Sequence, residues 1–145
     1  MNFYHKFLFF LFLIIPNISA DELTIKLLGQ NKAGILNLAI YDNAEAYDHS
    51  VKGEGRSEGG FFSGIDSFIE LKESHEFVIN LPEGIYAIAL FIDANKNMKI
   101  DKNFLGIPKE QYGFSNNAMG TLSGPSFEQA KFQVKGNSTQ NIKLK

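Results

Sequence analysis

Residues 84–92 read Gly84-Ile85-Tyr86-Ala87-Ile88-Ala89-Leu90-Phe91-Ile92, an apolar run bounded by Pro82-Glu83 before it and by Asp93 after it. Side chains of a β-strand point alternately to its two faces, so a run that is apolar at both sets of positions predicts a strand covered on both faces. We therefore expect a central strand that ends in an acidic loop, with the rest of the fold arranged around it.

Shorter segments on both sides of this run alternate apolar and polar residues with a period of two, as at Leu23, Ile25 and Leu27. The candidate strands are residues 22–29, 35–41, 75–80, 84–92, 129–135 and 139–144, with a weaker one within 60–71. About seven strands predict an all-β fold, a mostly antiparallel β-sandwich. Turn signals link successive strands at Gly29 to Gly34, Pro82-Glu83-Gly84 and Lys135-Gly136-Asn137-Ser138.

Two stretches do not have the pattern of strands. Within residues 43–64, Glu45-Ala46-Tyr47-Asp48 predicts a helical turn, and the glycine-rich segment 53–60 predicts a surface hairpin. Residues 93–128 form one long loop, which we expect to be ordered. Its apolar side chains would be costly to leave in water and are expected to anchor it on the sandwich: Phe104, Leu105, Ile107, Tyr112, Phe114 and Phe127.

The N-terminus has the pattern of a secretory signal. Lys6 precedes the apolar run 7–15, and the small residue Ala20 stands before acidic Asp21. We therefore expect residues 1–20 to be a cleaved signal peptide and residues 21–145 to form a single domain. The mature chain would be exported, periplasmic or extracellular, with no transmembrane segment.

Composition limits the classes of function. The chain holds 14 basic and 16 acidic residues, a net charge of −2, and its predicted signal contributes Lys6 and no acid. A nucleic acid is therefore not an expected partner. Cysteine is absent, which excludes disulfides, thiolate metal sites and cysteine nucleophiles.

The loop after the central run reads Asp93-Ala94-Asn95-Lys96-Asn97-Met98-Lys99-Ile100-Asp101 and carries oxygen at alternate positions. Calcium takes six to eight oxygen ligands, and a curled loop can aim alternate side chains inward while a backbone carbonyl fills another vertex. The pattern therefore predicts a calcium site made by the side chains of Asp93, Asn95, Asn97 and Asp101 and the carbonyl of Lys99. The alternative is a metal-free loop whose polar side chains bond their own backbone.

A second candidate site lies further along the long loop. Tyr112 and Phe114 flank a glycine and precede the amides Asn116 and Asn117. Exposed aromatic rings beside amides could stack on and hydrogen-bond a sugar or a peptide, which makes these four residues a candidate binding patch. Alternatively, both rings pack inward and the amides satisfy the turn.

Five segments, in order, resemble an exported bacterial family catalogued as domain of unknown function 2141, over most of residues 22–135: Leu81-Pro82-Glu83-Gly84-Ile85-Tyr86-Ala87-Ile88-Ala89, the loop 93–101, Asn103-Phe104-Leu105-Gly106-Ile107-Pro108, Tyr112-Gly113-Phe114-Ser115-Asn116-Asn117 and Pro125-Ser126-Phe127-Glu128-Gln129-Ala130. The resemblance implies a small secreted or periplasmic β-sandwich of immunoglobulin or prealbumin type, with no established activity. The family loop tends to read Asp-Xaa-Asn-Gly-Asn-Gly-Lys-Xaa-Asp, so Lys96 and Met98 stand at its two glycine positions. Any calcium affinity is therefore expected to be weak.

These observations predict an exported, non-enzymatic module that binds an unknown envelope protein or glycan or serves as an envelope accessory. The alternative is a small secreted hydrolase that uses carboxylates of the long loop. A flat aromatic patch would favour the binding module, whereas a concave pocket lined by two acids of shifted pKa would favour the enzyme.

Overall fold

A computed structural model describes residues 20–54, 62–121 and 123–145. These residues form eight strands: β1 (Asp21–Leu28), β2 (Gly34–Tyr41), β3 (Ser63–Ile69), β4 (Ser74–Leu81), β5 (Gly84–Asp93), β6 (Tyr112–Phe114), β7 (Phe132–Val134) and β8 (Ser138–Lys143). They also form two short α-helices, α1 (Ala44–His49) and α2 (Phe127–Ala130), a π-helical turn at Ser50–Glu54 and a 3₁₀ turn at Ser115–Asn117. The predicted signal before Ala20 and residues 55–60 of the glycine-rich segment lie outside the described residues.

The strands make two sheets. The three-stranded sheet has the order β4-β1-β8, and the five-stranded sheet has the order β3-β2-β5-β6, with β7 paired to the start of β5. Both sheets turn alternate side chains inward, and these form the main core, as Leu23, Ile25 and Leu27 of β1 do. The expectation of an all-β fold is confirmed. Among the described helices, none is long and apolar enough to cross a membrane.

The central run is covered along one face, as its composition predicts, but the other face is covered only in its middle, and Ile85 is 46% exposed. Tyr86, Ile88, Leu90 and Ile92 of β5 face the core between the sheets. Ala87 faces the opposite side, where α1 and α2 cover part of the five-stranded sheet and enclose a smaller apolar cluster. Because only small side chains of β5 lie under the helices, the helices pack closely on the sheet.

The three turn signals occur where they were predicted, but they do not make hairpins. Each one connects strands of different sheets: β1 to β2, β4 to β5, and β7 to β8. Gly29 and Gly136 have φ of 78° and 63°, the left-handed conformation that glycine adopts without strain. The sandwich is also not wholly antiparallel, because β8 pairs with β1 in parallel. A turn residue sets the local chain reversal, whereas strand partners are chosen by burial of whole faces.

The long loop contains one strand, β6, that its sequence does not predict, and fewer anchors than expected. The helical turn that Pro125-Ser126-Phe127-Glu128 predicts is present as α2, with Ser126 as its N-cap, and the predicted strand 129–135 is shortened to β7. Phe127 is buried and Phe114 is partly buried, in agreement with an anchoring role. The three apolar residues at 104, 105 and 107 are exposed instead, so the expectation that they anchor the loop is wrong.

Tyr47 lies on α1, one of the two helices that cover the five-stranded sheet, and its hydroxyl is buried with the ring. It is fully buried, with its ring edge-to-face with Tyr41 at 5.6 Å and with Phe127 at 5.8 Å between centroids. Its hydroxyl has no hydrogen-bond partner in the described part of the chain. Burial, and to a smaller extent the charge of Asp48, raises the pKa of this hydroxyl.

Replacing Tyr47 with phenylalanine should therefore not destabilise the protein. Tyr47→Phe keeps the ring contacts and removes a buried hydroxyl whose lost hydration costs about 1–3 kcal/mol, so the free energy of unfolding should stay constant or rise by about 1 kcal/mol. Tyr41→Phe is the matched control, because the Tyr41 hydroxyl donates to Ser50 Oγ at 2.7 Å. This control should lower stability in urea unfolding. A loss of stability in Tyr47→Phe as large as in Tyr41→Phe would contradict an unpaired hydroxyl.

Candidate functional site

The acidic loop starts from a carboxylate buried at the end of β5. Asp93 is fully buried, and both of its oxygens accept backbone hydrogen bonds from the loop: Oδ1 from Asn97 N–H at 3.2 Å and Oδ2 from Met98 N–H at 2.7 Å. Gly34 makes room for this turn, since a Cβ at that position would lie 2.6 Å from the Asp93 carbonyl oxygen. A buried carboxylate thus fixes the path of the loop.

The other predicted ligand side chains converge above it. Asn95 Nδ2 donates to Asp101 Oδ2 at 2.6 Å, and Asn97 Nδ2 lies 3.1 Å from each Asp101 carboxylate oxygen. The amide oxygens accept from the backbone: Asn95 Oδ1 from Asn97 N–H at 3.1 Å and Asn97 Oδ1 from Lys99 N–H at 2.9 Å. The loop therefore contains the self-bonded network that the sequence allows as the alternative to a metal.

The curvature of the loop depends on two residues in the left-handed region. Lys96 has φ of 63° and Met98 has φ of 65°. These are the two positions at which the family pattern has glycine. A side chain in this conformation costs about 1–2 kcal/mol relative to the right-handed region. The chain therefore keeps the path of a glycine-containing loop and bears the strain.

Glu110 is a loop-supporting residue that the sequence did not single out. It is nearly buried, and its oxygens accept N–H bonds from Ala94 at 3.2 Å and from Asp101 at 3.1 Å, which ties the two ends of the loop together. Burial raises the pKa of Glu110, the charges of Asp93 and Asp101 add to the rise, and the two N–H bonds oppose it. Glu110 lies 17 positions after Asp93 and has no local pattern that separates it from the other acids.

The donor set of the loop suits a hard cation only weakly. Within the described ranges there is no cluster of three or more His, Asp or Glu side chains placed to hold a metal. Two carboxylates and two amides are nevertheless gathered, and rotation of the Asn95 and Asn97 amides by a half-turn would aim their oxygens at Asp101. The spacing of about 3 Å between these groups is that of neighbouring oxygens around an ion with ligands 2.3–2.6 Å away.

The predicted binding patch is divided by the fold. Tyr112 and Phe114 lie on β6 with their rings 5.8 Å apart, opposite Phe91 and Ala89 of β5. The two amides instead bond to other elements: Asn116 Nδ2 donates to Lys131 O at 2.8 Å, and Asn117 bonds β8 through Asn141 O at 2.9 Å and Lys143 N–H at 2.7 Å. They therefore tie this turn to β8 and to the residue before β7, whereas the alternative made from the sequence has them bond within the turn.

Strand register places other aromatic residues beside Tyr112 on the outer side of the five-stranded sheet. Phe91 of β5 pairs with both Tyr112 and Asn37, and Ile35 of β2 pairs with Phe68 of β3. We call the set Ile35, Phe68, Phe91 and Tyr112 the aromatic face. Phe68 is 51% exposed and the other three are partly exposed. Lys96 Nζ from the acidic loop lies 5.2 Å from the centroid of the Phe68 ring.

A groove of about 350 Å³ lies at the base of the long loop. Its lining includes three lysines, Lys32, Lys109 and Lys145, and one acid, Glu110. Both Glu110 oxygens already accept backbone N–H bonds. The groove therefore presents mainly positive charge beside Ile107 and Pro108.

One family model matches residues 25–143 of the chain, and its description is "Uncharacterized protein conserved in bacteria (DUF2141)". The resemblance noted from the five sequence segments is thereby confirmed. No curated protein and no solved structure matches the chain. The family description names no substrate, ligand or partner.

The left-handed backbone at Met98 predicts that replacing this residue with glycine stabilises the protein. Met98→Gly should raise the free energy of unfolding by about 0.5–1 kcal/mol, because the relieved left-handed strain exceeds the entropy that glycine adds to the unfolded chain. Met98 is 69% exposed, so little packing is lost. Met119, 48% exposed and without a positive φ, is the matched control. Met119→Gly should destabilise, and equal losses of stability in the two variants would contradict strain at position 98.

Proposed function

Because the chain belongs to the bacterial DUF2141 family, we propose that it is an exported, non-enzymatic β-sandwich module that binds an envelope glycan through its aromatic face. The observation that carries this function is the set of rings on the outer side of the five-stranded sheet. Phe91 and Tyr112 are register partners, and Phe68 lies diagonally from Phe91 with β2 between them. We further propose that the sandwich is of immunoglobulin or prealbumin type, supported by its two face-to-face sheets of three and five strands.

The aromatic face has the chemistry of sugar recognition. Flat rings offer apolar surface to the C–H faces of sugars, and nearby polar groups can bond the hydroxyls. Asp66 is an exposed polar residue of this face and pairs in register with Asn37, the buried neighbour of Phe91. Because the rings project from hydrogen-bonded strands, little conformational entropy is lost when a ligand binds.

A binding role agrees better with the groove than the hydrolase alternative does. A hydrolase of the glycosidase kind uses a facing pair of carboxyl groups. The lining of this groove includes one carboxylate, Glu110, and its oxygens are engaged by the backbone of Ala94 and Asp101. Burial is the largest cause of the raised pKa of Glu110.

Export is supported by the position of the first strand. The predicted signal ends at Ala20, and β1 begins at Asp21, whose carboxylate accepts a hydrogen bond from Gly136 N–H at 2.8 Å. Cleavage between these two residues would leave all eight described strands intact. An envelope glycan is a partner that an exported bacterial protein would meet.

Calcium would brace the border of the aromatic face. We propose that Asp93, Asn95, Asn97, Asp101 and the Lys99 carbonyl hold it weakly, with a dissociation constant of about 10⁻⁴–10⁻³ M, as in extracellular modules. The ion would neutralise the two carboxylates and hold the loop that carries Lys96 over Phe68. Its role would be structural, because the proposed ligands border the aromatic face rather than belong to it.

The test of glycan binding is co-sedimentation of the purified, exported protein with isolated peptidoglycan sacculi. Phe68→Ala and Tyr112→Ala should each weaken binding by about tenfold, as truncation of a ring at the centre of an interface does. Phe104→Ala is the matched control, since Phe104 is an exposed ring that does not belong to this face. It should bind like the wild type. A folded wild type that stays in the supernatant, or equal binding by all variants, would refute the role of this face.

A further inference from the structure

A short hairpin within the long loop carries an apolar end that the sandwich does not cover. Asp101 O accepts from Lys109 N–H at 2.8 Å, Lys102 bridges Pro108, and Asn103 N–H donates to Ile107 O at 2.9 Å. At its end, which we call the apolar tip, Phe104 is 94% exposed, Leu105 67% and Ile107 54%. Large apolar side chains gathered on an exposed tip mark an interaction site more often than scattered single ones do.

The apolar tip is held in one conformation by its own backbone. Asn103 Oδ1 accepts N–H bonds from Leu105 at 2.9 Å and from Ile107 at 3.0 Å, and Gly106 N–H donates to Asn103 O at 2.9 Å. Gly106 has φ of 80°, which closes the turn without strain. The exposed side chains are therefore presented on a formed scaffold, and binding would not have to order it.

Positive charge surrounds the tip. Lys99, Lys102 and Lys109 are exposed, and within the described residues none of them forms an ion pair. Between residues 96 and 109 the single acid is Asp101, whose oxygens are engaged by Asn95 and Asn97. The groove behind the hairpin adds further lysines. This concentration of one sign contrasts with the net charge of −2 of the whole chain.

We propose that the apolar tip and its lysines dock the protein on an anionic phospholipid bilayer. The tip stands about 10 Å beyond the base of the hairpin, three residues at about 3.3 Å each, which matches the 5–10 Å to which interfacial elements enter the headgroup region. Lysines at the base then lie at the level of lipid phosphates. Three exposed lysines against the single acid Asp101 suit a surface of uniformly negative charge better than a protein interface of mixed sign.

The absence of tryptophan from the chain provides a direct reporter. Phe104→Trp places the single indole at the tip, and its emission should shift to shorter wavelength with vesicles of phosphatidylglycerol and phosphatidylcholine in equal parts. Phosphatidylcholine vesicles should give a much smaller shift, and salt should reverse the anionic effect. Phe68→Trp, with its indole on the aromatic face, is the matched control and should show no shift.

Co-sedimentation with the same vesicles completes the test, using protein recovered after export with its N-terminus checked by mass. Lys102→Ser/Lys109→Ser should lower the affinity at least about tenfold, and Phe104→Ser should abolish the binding. A folded wild type that ignores anionic vesicles, or an unshifted indole at position 104, would overturn the proposal. Phe104-dependent self-association without vesicle binding would assign the tip to a second copy of the chain and would also overturn it.

Discussion

The buried carboxylate of Asp93 is the constraint on which the loop end of the molecule depends. It ends the central strand, and its two oxygens bond the N–H groups of Asn97 and Met98. A carboxylate buried in this position is tolerated only when hydrogen bonds replace its lost hydration. The loop is therefore folded back on the strand, and the Glu110 carboxylate joins the two ends of the loop by bonding the N–H groups of Ala94 and Asp101.

Two surfaces follow from this arrangement. The start of the loop brings Lys96 over Phe68 at the border of the aromatic face. The continuation of the loop leads into the hairpin whose tip carries Phe104. The proposed glycan site and the proposed bilayer contact thus lie on separate elements with separate chemistry, flat rings in one case and an apolar tip with lysines in the other.

The sequence predicts the strands better than their partners. Residues 84–92 are apolar at every position, and this pattern predicts a strand without knowledge of the topology. One face meets the other sheet, whereas on the opposite face Ala87 and Ala89 lie under α1 and α2 and Ile85 and Phe91 are exposed or partly exposed. The parallel pairing of β8 with β1 has no such local signal. Gly29 and Gly136 mark chain reversals correctly, but φ at one residue does not determine which sheet the next strand joins.

The sequence likewise predicts only part of the candidate site. The alternate polar residues 93–101 predict a curled loop, and the structure contains one with its side chains converging on Asp101. Phe68 could not be found in this way because it reaches the site through strand pairing with Ile35. Glu110 could not be found because it lies outside the alternating segment and bonds it at Ala94 and Asp101. The exposure of Phe104 could not be predicted from the sequence either. An apolar side chain favours burial, but its hydrophobicity does not determine whether it is buried within the same chain or against a partner.

Thermal unfolding of the purified protein in calcium, in magnesium and in chelator tests most directly whether the Asp93 loop is a cation site. Calcium at about ten times its dissociation constant should raise the free energy of unfolding by about 1.4 kcal/mol, and magnesium should act less. Asp101→Asn should remove the calcium response, whereas Glu83→Gln, at the opposite end of β5, should keep it. No calcium-specific rise in the wild type, or an equal rise in Asp101→Asn, would contradict the account and leave the loop braced by its own hydrogen bonds.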